Sequence, residues 1–139
     1  MIYHVHNEGE RDAHTLDDLA PSVRDTVKAL REHLDDFDTI ATQGMSGVLV
    51  ASPVSLILKK ELTVVRKDDG SHQYEQNTGR KARLIGGASI GPGKRALFLD
   101  DFISLGDTRD NVYNAVEDAG GIVVGTYTYQ NNEYVRRQI

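Results

Sequence analysis

Apolar residues near the start of the chain recur at helical spacing. Val23, Val27, Leu30 and Leu34 are separated by four, three and four positions, which places them on one side of an amphipathic helix. Pro21 suits the first turn of such a helix, because the N–H group that proline lacks has no helical partner there. The pattern therefore predicts a first helix that packs on the domain through one face and reaches Leu34.

Short apolar runs separate the helical segments. They occupy residues 39–42, 62–65, 96–99 and 122–127 and are rich in residues typical of strands. A further helical repeat, built on Val112 and Val116, lies between the last two runs and ends at Gly120-Gly121. The order helix, strand, helix, strand, loop, strand, helix, strand predicts an α/β fold, with a mainly parallel twisted sheet and helices on both faces.

The segment 48–58 is apolar almost throughout, as a helix covered by other elements would be. Pro53 interrupts it, because a proline inside a helix removes one hydrogen bond and crowds the carbonyl group of Leu49. Two interpretations are open: the helix kinks at Pro53, or a new helix begins there with Ser52 as its cap. We prefer the kink.

Three unusual segments each follow a predicted strand. They are a glycine loop at 43–47, a long polar stretch at 66–83 and an acidic turn at 100–108. Ligands of parallel α/β sheets bind beyond the carboxyl ends of the strands. We therefore expect the three segments to converge on one side of the molecule.

Composition and charge narrow the class of protein. The 139 residues predict one domain, 1–139, with its core at about 38–127, and 39% of them are hydrophobic. A net charge of −5 argues against a broad nucleic-acid-binding face. The absence of cysteine excludes disulfides and thiolate metal sites. Neither a membrane-spanning run nor a signal-peptide pattern is evident, so we expect a cytoplasmic protein that binds no membrane.

The segment 96–108 carries the candidate chemistry. Its apolar run leads into Asp100 and Asp101, and a polar turn with Ser104, Gly106 and Thr108 then leads into a predicted helix. Carboxylates accept hydrogen bonds from ribose hydroxyls, while free N–H groups and hydroxyls at a helix start hold phosphate. These residue types indicate a site for a sugar phosphate.

The same segment resembles the phosphoribosyl-pyrophosphate (PRPP) motif of the type I phosphoribosyltransferases, and the likeness extends over roughly residues 38–127. It implies that Asp100 and Asp101 hold the ribose 2′ and 3′ hydroxyls and that the turn from Ser104 to Thr108 holds the 5′-phosphate. Two residues depart from the family pattern. Leu105 removes a hydroxyl donor, and Asp107 would set an anion beside a phosphate unless its side chain points to solvent or caps the helix.

Two other segments resemble parts of the same family. A glycine turn resembles the pyrophosphate loop, whose N–H groups face the diphosphate; it consists of Gly44, Met45, Ser46 and Gly47. Arg66 and Lys67 resemble the cation pair of orotate-type members, which is followed by a mobile lid. By this likeness the lid spans about 68–83, and its cations Arg80, Lys81 and Arg83 fold over the pyrophosphate.

The resemblance implies an enzyme that transfers ribose 5-phosphate from PRPP to a purine or orotate-like base and releases pyrophosphate. It implies a homodimer, and Mg²⁺ bound mainly through PRPP with Asp100 and Asp101 as candidate ligands. The base-covering region, or hood, is reduced, because only residues 1–14, part of the first helix and residues 127–139 remain to build it. Four aromatic residues are candidates for stacking on a base or for ordinary packing: Phe102, Tyr127, Tyr129 and Tyr134.

Two alternatives stay open. A non-catalytic regulator that binds PRPP or a nucleotide is consistent with Leu105, Asp107 and the reduced hood. A Mg²⁺-dependent phosphohydrolase would use the same acid pair, but the lack of a third carboxylate near Asp100 speaks against it.

Overall fold

A computed structural model of the chain describes residues 16–66, 83–85, 90–102 and 106–138. The helices in these ranges are α1 (Leu16–Leu30), α2 (Gly44–Leu58) and α3 (Asp107–Asp118), and a short 3₁₀ helix, Arg31–Asp36, follows α1. The strands are β1 (Thr39–Gln43), β2 (Glu61–Arg66), β3 (Arg83–Ile85), β4 (Arg95–Asp100), β5 (Ile122–Thr128) and β6 (Glu133–Arg136). Within the described ranges, no helix is long and apolar enough to cross a membrane.

The strands form one sheet in the order β3-β2-β1-β4-β5-β6. The four central strands are parallel to one another, whereas β3 and β6 pair antiparallel at the two edges. The mainly parallel sheet is therefore confirmed, and the four predicted strands lie within one or two residues of their expected positions. The sequence pattern did not predict the two edge strands as strands.

Helices cover both faces of the sheet, as predicted. On one face, Leu30 of α1 and Val54 of α2 pack with Leu99 of β4 in one apolar cluster. On the other face, Val112 of α3 packs with Phe98 of β4 in a second cluster. The sheet therefore lies between two layers of helices.

The prediction of a glycine loop at 43–47 is wrong for residues 44–47, which form the first turn of α2. Gly44 has a φ of +83°, a conformation that glycine adopts at little cost. The chain therefore turns from β1 into α2 at a single residue. The helix continues through Pro53 to Leu58, so the interpretation in which a new helix begins after Ser52 is also wrong.

The predicted first helix is shorter than its apolar spacing indicates. It ends at Leu30, and Leu34 belongs to the 3₁₀ helix. The apolar spacing cannot separate the two helix types over so short a stretch, since residues three apart share a face in both.

One irregularity interrupts the centre of the sheet. Ala96 pairs with Val123, but the next residue of β4, Leu97, pairs with Gly125. Val124 is therefore an extra residue in β5, which makes this a β-bulge.

Candidate functional site

The acid pair lies at the carboxyl end of β4. Asp100 is the last residue of the strand and only 6% exposed. Its Oδ1 accepts a hydrogen bond of 2.9 Å from the N–H of Asp101, and Oδ1 of Asp101 accepts one of 2.7 Å from the N–H of Phe102. Local backbone groups thus fix both carboxylates at the sheet edge.

The electrostatic environment of Asp100 is unusual. Burial raises its pKa to about 7; the N–H of Asp101 opposes this increase, while the side chain of Asp101 adds to it. An acid with a pKa in this range changes charge near neutral pH, which is common at functional sites and rare on ordinary surfaces. Hydroxyl donors or a cation bound here would favour the ionised form.

Helix α3 begins next to the acid pair. Gly106 precedes it with a φ of +86° and, lacking a side chain, provides no side-chain cap. The first N–H groups of a helix have no partner within it and attract anions. Thr108, half-exposed, lies in this first turn, whereas Ser104, Leu105 and the side chain of Asp107 lie outside the described residues.

Helix α2 begins at the same sheet edge, after β1. Its preceding residue, Gln43, makes no capping hydrogen bond with its side chain. Gly47 is buried, and a Cβ there would overlap Oγ1 of Thr42 and come within 3.3 Å of the carbonyl oxygen of Leu99. Glycine at position 47 therefore lets the first turn of α2 lie directly against the end of β4. Met45, in contrast, is 71% exposed.

Three side-chain contacts connect these segments. Oγ1 of Thr42 donates to the carbonyl oxygen of Leu99 at 2.8 Å, and the hydroxyl of Tyr129 donates to the carbonyl oxygen of Ser46 at 3.0 Å. Nδ2 of Asn111, in α3, donates to Oε1 of Gln43. The predicted convergence of the segments after β1 and β4 is thus confirmed, but the sequence did not predict these contacts, whose partners lie 57 or more positions apart.

The basic segment is described only at its ends. Arg66 is the last residue of β2, so it lies at the carboxyl edge of the sheet together with the acid pair, and it pairs in register with Arg83, the first residue of β3. Lys67, Arg80 and Lys81 lie outside the described residues. The expected lid at 68–83 therefore stays a prediction, apart from the placement of Arg83 in a strand.

The four aromatic candidates differ in how far they are exposed and in what they contact. Tyr127 is fully buried in the core and Tyr129 is 7% exposed, so stacking of Tyr127 on a base is wrong: it packs between the sheet and α1. Tyr134 donates a hydrogen bond of 3.2 Å to Asp36, and its ring lies 4.7 Å from that of His33. Phe102, beside the acid pair, is 49% exposed.

A cavity of about 370 Å³ opens next to Phe102, between α3 and the hairpin of β5 and β6. Arg109, Thr128, Asn131 and Glu133 contribute polar groups to its wall. The hairpin that the sequence left as a hood candidate, 127–139, thus forms one wall of this cavity and the edge of the sheet. The other hood candidate, 1–14, lies outside the described residues.

The site offers few metal ligands of its own. Among the described residues, no group of three or more histidine, aspartate or glutamate side chains is arranged to hold a metal ion. Asp100 and Asp101 supply two carboxylates, a number typical of a Mg²⁺ ion that takes its other ligands from phosphates and water. The donor set therefore fits Mg²⁺ bound together with a phosphorylated ligand.

Comparison with known proteins adds independent observations. No protein-family model matches the sequence. The chain is 32% identical over 118 residues to HGPRTase-like protein 2 of Haloarcula marismortui, a match that covers 77% of this chain and 62% of the relative. It is 28% identical over 107 residues to the adenine phosphoribosyltransferase of Ruminiclostridium cellulolyticum, with 73% of this chain and 63% of the relative covered.

The fold also matches solved structures. The orotate phosphoribosyltransferase of Aeropyrum pernix superposes with a TM-score of 0.65 at 17% identity, covering 82% of this chain and 59% of that one. At that identity the likeness concerns the fold alone. The chain spans less than two thirds of the length of the two curated relatives described above. The sequence matches and the shared fold together confirm the predicted family: this chain is a relative of the type I phosphoribosyltransferases and has their α/β fold.

Proposed function

We propose that this chain transfers the ribose 5-phosphate group of PRPP to a nucleobase and releases pyrophosphate. The observation that carries the proposal is the meeting of the acid pair with the starts of α2 and α3 at one edge of the sheet. The carboxylates suit ribose hydroxyls, and each helix start suits an anionic group. PRPP has this same arrangement, a ribose between a phosphate and a pyrophosphate.

The residues take the following roles in this proposal. Asp100 and Asp101 bind the ribose hydroxyls and favour the positive charge that develops on the ribosyl ring as its bond to pyrophosphate breaks. The N–H groups of residues 44–47 hold the pyrophosphate, and those of residues 104–108 hold the 5′-phosphate.

The leaving group needs positive charge around it. Arg66 and Lys67 follow β2 and would face the departing pyrophosphate, and the lid expected at 68–83 would exclude water that otherwise hydrolyses the activated sugar. Mg²⁺, held through PRPP with Asp100 and Asp101, would supply further positive charge to the pyrophosphate.

The acceptor base would occupy the cavity beside Phe102. Its volume of about 370 Å³ lies within the range of small-molecule sites, roughly 300–1,000 Å³. Phe102, 49% exposed, offers a surface for stacking. Thr128 donates to Asn131, and Asn131 donates to Glu133, so these side chains form a connected polar wall whose remaining hydrogen-bonding capacity faces a ring edge. A purine is favoured over an orotate-like base, because a sequence relative is an adenine phosphoribosyltransferase.

A homodimer in the cytoplasm completes the proposal. Helix α2 contains no charged residue, yet Leu56 is 79% exposed and Ile57 47% exposed on it. A helix that is apolar on all sides is usually covered, and contact with a second copy would remove these side chains from water.

The test is a panel of adenine, guanine, hypoxanthine, uracil and orotate with PRPP and Mg²⁺, in which both pyrophosphate and nucleotide are measured. We expect nucleotide from one purine, and a loss of at least about 100-fold in rate when Asp100→Asn and Asp101→Asn are combined. Binding of PRPP to the double variant is measured in parallel.

Other outcomes identify other functions. PRPP binding without product on every base would support a non-catalytic regulator, and phosphate release from simple esters would support a phosphohydrolase. Unchanged PRPP affinity in the double variant would show that the sugar site lies elsewhere.

A further inference from the structure

Tyr129 contacts both halves of the candidate site. Its backbone N–H donates to the carbonyl oxygen of Asp100 at 3.0 Å. Its hydroxyl donates to the carbonyl oxygen of Ser46, in the first turn of α2, also at 3.0 Å. The side chain between these two contacts is only 7% exposed, so the tyrosine spans the interior from the acid pair to the start of α2.

This connection is rigid for physical reasons. A tyrosine side chain has two main torsions, and burial restricts both of them. Burial and the charges of Asp101 and Asp100 raise the pKa of Tyr129 to about 12. The hydroxyl therefore keeps its proton at neutral pH and donates it to the carbonyl oxygen of Ser46.

The other side-chain hydrogen bonds described at this edge join different elements. The hydrogen bond from Thr42 to the carbonyl of Leu99 joins β1 to β4, and that from Asn111 to Gln43 joins α3 to the end of β1. Tyr129 reaches beyond them to the helical turn itself. It therefore acts on the separation between this turn and the carboxylates.

We propose that Tyr129 is a positioning residue that sets the distance between the first turn of α2 and the acid pair. The inference rests on the proposed function, in which these two parts bind the pyrophosphate and the ribose of one PRPP molecule. A ligand held at both ends is sensitive to their separation, whereas a ligand held at one end is not.

The experiment compares three ligands in the presence of Mg²⁺: PRPP, pyrophosphate alone and ribose 5-phosphate alone. Tyr129→Phe removes the hydroxyl and keeps the ring. We expect its KM and Kd for PRPP to rise about 10-fold, with kcat reduced less. The affinities for pyrophosphate and for ribose 5-phosphate should change less than about twofold, because each uses one end of the site.

Tyr134→Phe is the matched control. Its hydroxyl also donates a partly buried hydrogen bond, to Asp36 at 3.2 Å, but it joins β6 to the 3₁₀ helix and not to the site. Both variants should lose similar amounts of thermal stability, and Tyr134→Phe should bind PRPP as the parent does.

Three results would overturn the inference. The first is an unchanged PRPP affinity in Tyr129→Phe. The second is an equal loss of PRPP and pyrophosphate binding, which would mean local damage to the α2 turn. The third is equal amide exchange of residues 48–50 in Tyr129→Phe and Tyr134→Phe, because loss of the Tyr129 hydrogen bond should accelerate exchange in the former. This measurement needs no ligand, so it tests the positioning role of Tyr129 even if the parent binds none of the three ligands and the proposed function fails.

Discussion

At the scale of single residues, Asp100 illustrates how a buried carboxyl at a candidate site lowers stability. The unfolded chain exposes this carboxyl to water, where its pKa is ordinary, whereas in the folded protein burial raises it to about 7. Between about pH 4 and pH 7 the folded state therefore binds more protons than the unfolded state, and the free energy of unfolding falls as pH rises through this window.

Replacement of this carboxyl by its neutral isostere tests the argument. Asp100→Asn keeps an oxygen for the N–H of Asp101 and removes the charge. We expect the variant to be more stable than the parent at pH 8, by at most about 4 kcal/mol, since the pKa rises from 3.8 to about 7 and each pKa unit corresponds to about 1.4 kcal/mol. At pH 4 the two should be nearly equal. Denaturant unfolding at the two pH values measures this, with exposed Asp25→Asn as control; a variant less stable at pH 8 would contradict the argument.

Gly47 supports a second prediction at this scale. Gly47→Ala would force its methyl group onto Oγ1 of Thr42, and overpacking of this kind costs about 1–3 kcal/mol. Thr42→Ala removes the obstructing hydroxyl. The double variant should therefore lose less unfolding free energy than the two single variants lose in sum. Chemical denaturation of the three variants gives the coupling, and strictly additive losses would refute the steric explanation.

The residues of the site differ in how far the sequence reveals them. Asp100, Asp101 and Gly106 stand in one local pattern at the junction of a strand and a helix, so their chemistry can be read from adjacent positions. The contacts of Thr42, Gln43 and Tyr129 join distant segments, and any buried polar residue could have made them. The sequence indicates Tyr129 only as a stacking candidate, because the residue type alone does not show which partner its hydroxyl contacts.

At the scale of elements, an ion pair joins the starts of β1 and β4, at the edge of the sheet opposite the candidate site. Asp38, just before β1, accepts hydrogen bonds of 2.9 Å from the N–H and 2.8 Å from Nη2 of Arg95, the first residue of β4. The side chain and the N–H of Arg95 lower the pKa of Asp38 to about 2. The two central strands are thus joined at both ends, by charge here and by the contact between Thr42 and Leu99 at the other end.

Asp38→Asn tests how much the ion pair between Asp38 and Arg95 stabilises the protein. Since the pKa is lowered in the folded state, the stabilisation is present above about pH 4 and is lost as pH falls toward 2. We expect a loss of about 1 kcal/mol at pH 7, because the pair is partly exposed and screened by solvent, and no difference at pH 2. Unfolding curves at both pH values measure it; a loss that persists at pH 2 would point to packing instead of charge.

The elements also show where sequence patterns fail. Of the four central strands, β1 and β4 are buried almost throughout, while β2 and β5 alternate between buried and partly exposed residues. Short runs rich in residues typical of strands identify all four. β6 is an edge strand with a mostly exposed, polar sequence, and β3 has three residues, so neither has a pattern that differs from a loop. The start of α2 was missed because glycines usually indicate a loop, whereas here Gly44 allows an abrupt entry into a helix and Gly47 allows close packing.

At the scale of the whole molecule, the exposed apolar side of α2 bears on assembly. Met45, close to the candidate site, and Leu56, near the other end of the helix, are both more than two-thirds exposed. An uncharged helix can meet its own copy without like-charge repulsion, although the chain carries a net charge of −5.

Leu56→Glu tests the dimer. We expect the parent to sediment as a dimer and the variant as a monomer, because two glutamates brought together in an apolar contact cost several kcal/mol. Val135→Glu, an equally drastic change at an exposed valine of β6, is the control and should leave the dimer intact. Monomeric parent protein at concentrations of about 100 μM, which would detect even a weak association, would refute the proposal.

The bulge at Val124 has a consequence for insertions and deletions in this chain. Side chains of a strand alternate between faces, so one extra residue reverses the face of every residue after it. Val123 packs on the α3 side, while Tyr127 packs on the α1 side, and Tyr129 follows Tyr127 by one full repeat of the alternation. Val124 is the residue that β4 does not pair, and Leu99 pairs with Tyr127 on the α1 side. Loss of Val124 would therefore make the strand regular and leave both tyrosines in their layer. The bulge is therefore a point at which β5 can lose one residue while Tyr129 keeps its contact with Ser46.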